Sequence, residues 1–175
     1  MRRRVEMRAT IGLFLIGVLL APAAGQAWAA SATIPTIVWE QKDLCTTAKA
    51  IQVTGYTKTL QEPCPYTIFA PVDCAWVNMC KTTTGDLLDP CNKSVLTAIL
   101  LHHIVRGAYT LCDLQNSRCC PMVLKTLDGG TITVRVEDSG IYIDGAKLLG
   151  EGISASNGTV FETDKVLIPP GVRCR

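Results

Sequence analysis

The sequence predicts an α+β domain in which helices come first and a meander of strands follows. Three observations predict it. Apolar residues recur at three and four positions before residue 105; they alternate strictly beyond Cys120; and Asp-Gly and Asn-Gly turn pairs punctuate the second half. Strands and helices do not alternate along the chain as a doubly wound parallel sheet requires.

The first element is a targeting segment. Arg2, Arg3 and Arg4 form a positive start, Ile11 to Leu20 is an apolar run, and Ala27-Trp28-Ala29 has the small-x-small pattern of a signal-peptidase site. Pro22 and Gly25 interrupt the run well short of the roughly 20 apolar residues that span a bilayer, so stable membrane insertion is not expected. Residues 1–29 read as a signal peptide and 30–175 as one domain.

From Ile37 to Gln61 the residues Ile37, Leu44, Ala48 and Ile51 mark a helical region with one buried stripe, broken at Gly55. Tyr66 to Ala70 is a β-branched and aromatic run stopped by Pro71, which reads as a buried strand. A short helix is expected over Asp73 to Met79, with Asp73 placed to cap its first turn. Asp89-Pro90 and Asn92 open a second long helix, Ser94 to Val105, closed by Gly107. Its stripe is Leu96, Ile99, Leu100 and His103, so His103 is expected to be a hydrogen-bonded core histidine and His102, off the stripe, to be exposed.

In Thr131 to Val136, Ile132, Val134 and Val136 face one side and Thr131, Thr133 and Arg135 the other, as in a half-buried antiparallel strand. Asp138-Ser139-Gly140 turns the chain into Ile141 to Ile143. Asp144-Gly145 and Asn157-Gly158 are further tight-turn signals before the strands at Val160-Phe161 and Val166 to Ile168, and Pro169-Pro170 ends the last of these. Asp164 reads either as a satisfied, partly buried carboxylate or as a surface charge.

Charge and cysteine usage narrow the function. The formal charge is +2, but Arg2, Arg3, Arg4 and Arg8 against Glu6 place +3 before residue 30, leaving 13 basic and 14 acidic residues beyond it. With its lysines scattered singly, that remainder lacks the clustered basic surface of a nucleic-acid binder. All nine cysteines (Cys45, Cys64, Cys74, Cys80, Cys91, Cys112, Cys119, Cys120 and Cys174) follow the targeting segment. They are disulfide candidates for an oxidising compartment. Four bridges at most leave one thiol, and the pairing stays open. The sequence contains no Cys-x-x-Cys, which argues against a thioredoxin-like centre and a zinc ribbon. It also contains no Gly-x-Ser-x-Gly elbow, Walker loop or His-Glu-x-x-His helix. His102 and His103, the only histidines, point about 100° apart on a helix and do not form a chelating pair. Neither catalysis, a metal nor a cofactor is expected.

Three segments carry a family resemblance. Thr67-Ile68-Phe69-Ala70-Pro71-Val72-Asp73-Cys74-Ala75-Trp76 resembles the first signature of fasciclin domains, with Trp76 where Phe is usual. Ser156-Asn157-Gly158-Thr159-Val160-Phe161 through Asp164-Lys165-Val166-Leu167-Ile168-Pro169-Pro170 resembles the second. Leu100-Leu101-His102-His103-Ile104-Val105-Arg106-Gly107, followed by Asp113-Leu114, is similar to the family's Tyr-His-Val-Val-Pro-Gly segment. The resemblance implies a β-wedge of two sheets flanked by helices. It also implies a secreted, extracellular or periplasmic adhesion module whose partner is a protein or polysaccharide of a cell surface, matrix or envelope. His102 stands where the family has Tyr, a position linked to integrin binding in animal members, and Gly150 to Ser154 lacks their Glu-Pro-Asp-Ile-Met, so an integrin ligand is not expected. His102 and His103 are the candidate partner-binding residues. The alternative reading is a periplasmic thiol-linked or redox-responsive protein, motivated by the odd cysteine count and by Cys119-Cys120.

Overall fold

The computed structural model describes residues 32–79, 89 and 92–172. The expected targeting segment 1–29, Cys80, Cys91 and Cys174 lie outside the described residues.

Helix α1 (Ile34–Glu40) begins on Pro35, whose missing N–H is no loss in a first turn, and buries Ile34, Ile37 and Val38. The helical region then breaks at Gln41, which is extended, and resumes through a 3₁₀ turn at Lys42–Leu44 as α2 (Cys45–Thr54). Gly55 ends α2: its φ of 86° lets its N–H reach the carbonyls of Ile51 and Gln52. No side chain at Leu44 caps the start of α2, and Asp73 supplies one from a distance, its Oδ1 accepting from Thr46 N at 2.7 Å. Asp73 thus caps a neighbouring helix rather than its own, α3 (Asp73–Met79).

Helix α4 (Lys93–His102) ends three residues before the expected Val105. Ile104 and Val105 belong instead to strand β2 (Ile104–Arg106), opposite Ile68 and Thr67 of β1 (Tyr66–Pro71). Both are β-branched, and the edge of β1 offers them ladder bonds and full burial in place of one more helical turn. A single turn, α5 (Leu111–Gln115), follows, held by a capping box between Thr110 and Asp113.

The remaining strands are β3 (Met122–Lys125), β4 (Thr131–Glu137), β5 (Gly140–Ile143), β6 (Ala146–Ala155) and β7 (Gly158–Thr163). They form one seven-stranded sheet in the order β2-β1-β7-β6-β5-β4-β3. Its two halves, the sheets of the wedge, share the long strand β6, which pairs with β5 at Ala146 and Lys147 and with β7 on both sides of a bulge between Leu149 and Ile153. An isolated antiparallel bridge, Val105 to Thr126, joins the two ends of the sheet. The result is nearly a barrel, with helices packed outside it: an α+β fold.

One pairing departs from the expected meander, because β1 and β7 run parallel, Tyr66 beside Gly158 through Pro71 beside Thr163. The β6–β7 hairpin turns on Ser156 and Asn157, one residue earlier than the expected pair Asn157-Gly158, since Ala155 pairs with Gly158. Gly158 is needed for a close approach: a Cβ there would lie 1.7 Å from Tyr66 O. Val166 to Ile168 is not a strand. Strand β7 already has β1 on one side and β6 on the other, so no edge remains beside it, and Val166 and Leu167 are buried as an irregular strap.

Three apolar clusters fill the molecule. Ile34, Leu44, Ile51, Ile68 and Leu100 join α1 and α2 to the sheet. Phe69, Ile132, Val134, Ile143 and Phe161 fill the near-barrel, with the Phe69 and Phe161 rings stacked 5.9 Å apart. Ala50, Trp76, Leu96, Ile99 and Val166 weld the helices together.

Candidate functional site

The end of α4 carries both histidines into the core. His103 is 1% exposed. Its Nδ1 lies 2.7 Å from Ile99 O, a carbonyl that can only accept, so this nitrogen carries the proton and donates. The free lone pair on Nε2 then accepts from Leu167 N at 2.8 Å, tying the strap to the helix. Trp76 stacks on the imidazole, ring centroids 6.4 Å apart, and its indole N–H donates to Thr47 Oγ1. Burial disfavours the charged imidazolium and lowers the His103 pKa from 6.5 to about 4; the bond to Ile99 opposes the shift, and His102 reinforces it.

His102 is also buried, at 2% exposure, where its place off the helical stripe predicted exposure. The turn between β3 and β4 covers it. Asp128 Oδ2 lies 2.8 Å from His102 Nδ1, and a Cβ on Gly130 would come within 3.2 Å of the ring. Asp128 Oδ1 accepts from Gly130 N at 3.0 Å and from the Thr126 hydroxyl. Burial pushes the Asp128 carboxyl up, but the bonds from Thr126, Gly130 and His102 outweigh it and hold it below its usual range. This carboxylate and imidazole fasten a turn over a helix end. Among the described residues, no hydroxyl or thiol is hydrogen-bonded to the other ring nitrogen. Neither histidine presents its ring to a partner.

The other signature residues are similarly engaged. Asn157 is a knot between distant segments: its Oδ1 accepts from Ile34 N at 3.0 Å, and its Nδ2 donates to the carbonyls of Leu60 (2.5 Å) and Glu62 (3.2 Å). Asp164 Oδ1 accepts from Lys147 N at 2.6 Å while Asp164 N donates to Lys147 O, so this carboxylate is partly buried and satisfied. Cys45, Cys64, Cys74, Cys112, Cys119 and Cys120 are exposed and free. Among the described residues there is no group of three or more His, Cys, Asp or Glu able to hold a metal, and no helix long and apolar enough to cross a membrane.

What the surface offers lies at the seam where β2 meets β3. A cavity of about 370 Å³ opens there, with Arg106 on β2, Lys125 on β3 and Tyr109 from the following loop on its walls. Gly107, at φ 111°, lets the Tyr109 ring lie within 3.1 Å of where a Cβ would stand. Tyr109 N donates to Thr67 Oγ1, which in turn donates to Gly107 O, and these bonds pin the loop to β1. A second groove, of about 330 Å³, runs across β4 and β5 between Arg135, Tyr142 and Asp144. The sequence reading missed Asp128, Arg106, Tyr109 and Lys125. Asp128-Gly129-Gly130 is a turn signal, but nothing local tells which helix end the turn covers.

Comparison with known proteins places these features. A family model described as Fasciclin domain matches residues 42–169. Protein sll1483 of Synechocystis sp. is 28% identical over 138 residues, 79% of this chain and 74% of that protein. Immunogenic protein MPB70 of Mycobacterium bovis is 32% identical over 105 residues, 60% of this chain and 50% of its own length. Among solved structures, a FAS1 domain pair from the insect cell adhesion molecule Fasciclin I superposes with a TM-score of 0.69 at 18% identity, over 79% of this chain and 51% of that one.

Proposed function

Since this chain belongs to the fasciclin domain family, we propose that it is an exported binding module that attaches to a protein or polysaccharide of a cell surface, matrix or envelope and carries out no catalysis. One observation carries the reading: the signature residues Asp73, His103, Asn157 and Asp164 each bind a distant segment of the fold through a side-chain hydrogen bond. The signatures therefore serve architecture, and recognition falls to the exposed rims and grooves. The names of similar proteins agree. Cell surface glycolipoprotein MPB83 of Mycobacterium bovis is 28% identical over 105 residues, 60% of this chain and 44% of its own, and the insect structure is a cell adhesion molecule.

The pattern of residues 1–29 supports export, with cleavage after Ala29 and the fasciclin domain in an extracellular or periplasmic setting. There the cysteines are free to pair. Attachment to immobilised surface extracts tests the proposal, with circular dichroism on the same samples. Attachment lost on unfolding is expected; attachment that survives unfolding, or saturable turnover of a small substrate, refutes it. The thiol-linked alternative has one observation in its favour, the exposed adjacent pair Cys119 and Cys120. It requires two thiols at that site to appear together on mild reduction of the exported protein.

A further inference from the structure

The seam that closes the near-barrel places like charges face to face. The antiparallel bridge Val105 to Thr126 is flanked on one side by a bond from Leu127 N to Ile104 O at 2.9 Å, and the same register sets Arg106 opposite Lys125 on the other. Val105 and Thr126 point inward and are buried; Arg106 and Lys125 point outward and are exposed on the walls of one cavity. Like charges directly opposite across a ladder are destabilising. Neither cation joins an ion pair among the described residues. The nearby carboxylate, Asp128, already accepts from His102, Gly130 and Thr126. An anion seated between Arg106 and Lys125 would convert the repulsion into two attractions and brace the joint between the two ends of the sheet.

We propose that this seam cavity is an anion-binding subsite for an acidic polysaccharide, with one carboxylate or sulfate ester between Arg106 and Lys125 and the adjoining sugar ring against Tyr109. The inference rests on the adhesion reading and names its partner. The guanidinium offers a planar fork that matches either oxyanion, and the ammonium a second point charge. Tyr109 supplies an apolar body with a polar tip, held in place by Gly107 and Thr67. A peptide adding as an extra strand fits less well, because the backbone here is already engaged: Leu127 N bonds to Ile104 O and Thr126 N to Gly130 O.

The test uses the exported mature protein and four immobilised probes: polygalacturonate, dextran sulfate, neutral dextran and poly-L-glutamate. Polygalacturonate, dextran sulfate or both should bind at least tenfold more tightly than dextran. That preference should shrink with added salt and disappear in the double variant Arg106→Gln/Lys125→Gln. Tyr109→Ala should weaken binding several-fold, and the charge-matched control Lys49→Gln/Lys58→Gln should not. The double variant should melt no lower than wild type, since it removes a repulsion, and the bound polysaccharide should raise only the wild-type melting temperature. Equal binding to dextran and the acidic polysaccharides, binding that the double variant leaves intact, or preference for poly-L-glutamate overturns the proposal. If the double variant still attaches to surface extracts, this subsite fails and the adhesion reading stands; if wild type attaches to no extract, the adhesion reading itself fails.

Discussion

Lowering the pH from 7 towards 4 should destabilise the domain through His103. The buried ring is neutral, donating from Nδ1 to Ile99 and accepting at Nε2 from Leu167. Its pKa is lowered from 6.5 to about 4. A base with a lowered folded pKa takes up its proton more readily in the unfolded chain. The stability it contributes is therefore complete above about 6.5 and is withdrawn as the pH falls to about 4. At about 1.36 kcal/mol for each pH unit, the full span is worth about 3 kcal/mol, a large part of the 5–15 kcal/mol typical of a domain. About 2 kcal/mol of that should be gone by pH 5. Asp128, whose carboxyl is held below its usual range, acts in a separate and lower window, losing stability as the pH falls below the ordinary carboxylate value. The assay is denaturant unfolding at pH 7, 6, 5 and 4.5 for wild type and His103→Gln, a side chain that retains an acceptor for Leu167 N. Wild type should show the extra dependence of about one proton between pH 6 and 4.5, and the variant should lack it. The Cε1–H resonance of His103 reports the group directly: titration near 6.5 in the folded protein would refute the reasoning.

Further outcomes follow from the same structure. His102→Ala should cost about 1–3 kcal/mol by leaving Asp128 without its buried partner, and His103→Ala more, since two bonds and the Trp76 contact go together; thermal melting ranks them, and an unchanged His102→Ala would contradict the burial. Gly158→Ala should abolish folding, because its Cβ meets Tyr66 O. Gly150→Ala, at a φ of 71° with open space around it, should lose only about 1–2 kcal/mol of backbone strain; comparable losses from the two would show that β1 and β7 do not approach as described. Asn157→Ala should cost at least about 2 kcal/mol, as Ile34 N and Leu60 O lose their partner; chemical denaturation measures it, and a loss within experimental error would refute the knot. In the reduced native protein at least six thiols should react with a water-soluble disulfide reagent without denaturant, because six cysteines are exposed; fewer would contradict their placement.

How far the sequence reveals this architecture depends on the range of the interaction concerned. Strand β1 and helix α3 were legible because their causes are local: a β-branched run, a proline stop and an acidic residue at the next helix start. The strict alternation of Ile132 and Val134 likewise fixes which face of β4 is buried. The end of α4 was misplaced because Ile104 and Val105 suit either structure, and only the edge of β1, far back in the chain, decides between them. The exposure of His102 was misjudged for a related reason: its cover, Asp128 and Gly130, comes from a turn whose docking no periodicity encodes. Asp73 was identified as a cap, yet the helix it caps lies before it in the chain rather than after it. The seam cavity was invisible in the sequence because Arg106 and Lys125 become neighbours only when the sheet curls round to its own far edge.

The parallel pairing of β1 with β7 also bears on when this chain can fold. Among the described residues the first strand finds its longest partner in the last, and that partner begins only at Gly158. Until those final residues are present, Phe69 has no Phe161 to stack on and β1 has only the three residues of β2 beside it. Contacts this distant in sequence make folding slow, because loop closure must precede the gain they bring. A chain still being made therefore has no early route to a finished sheet.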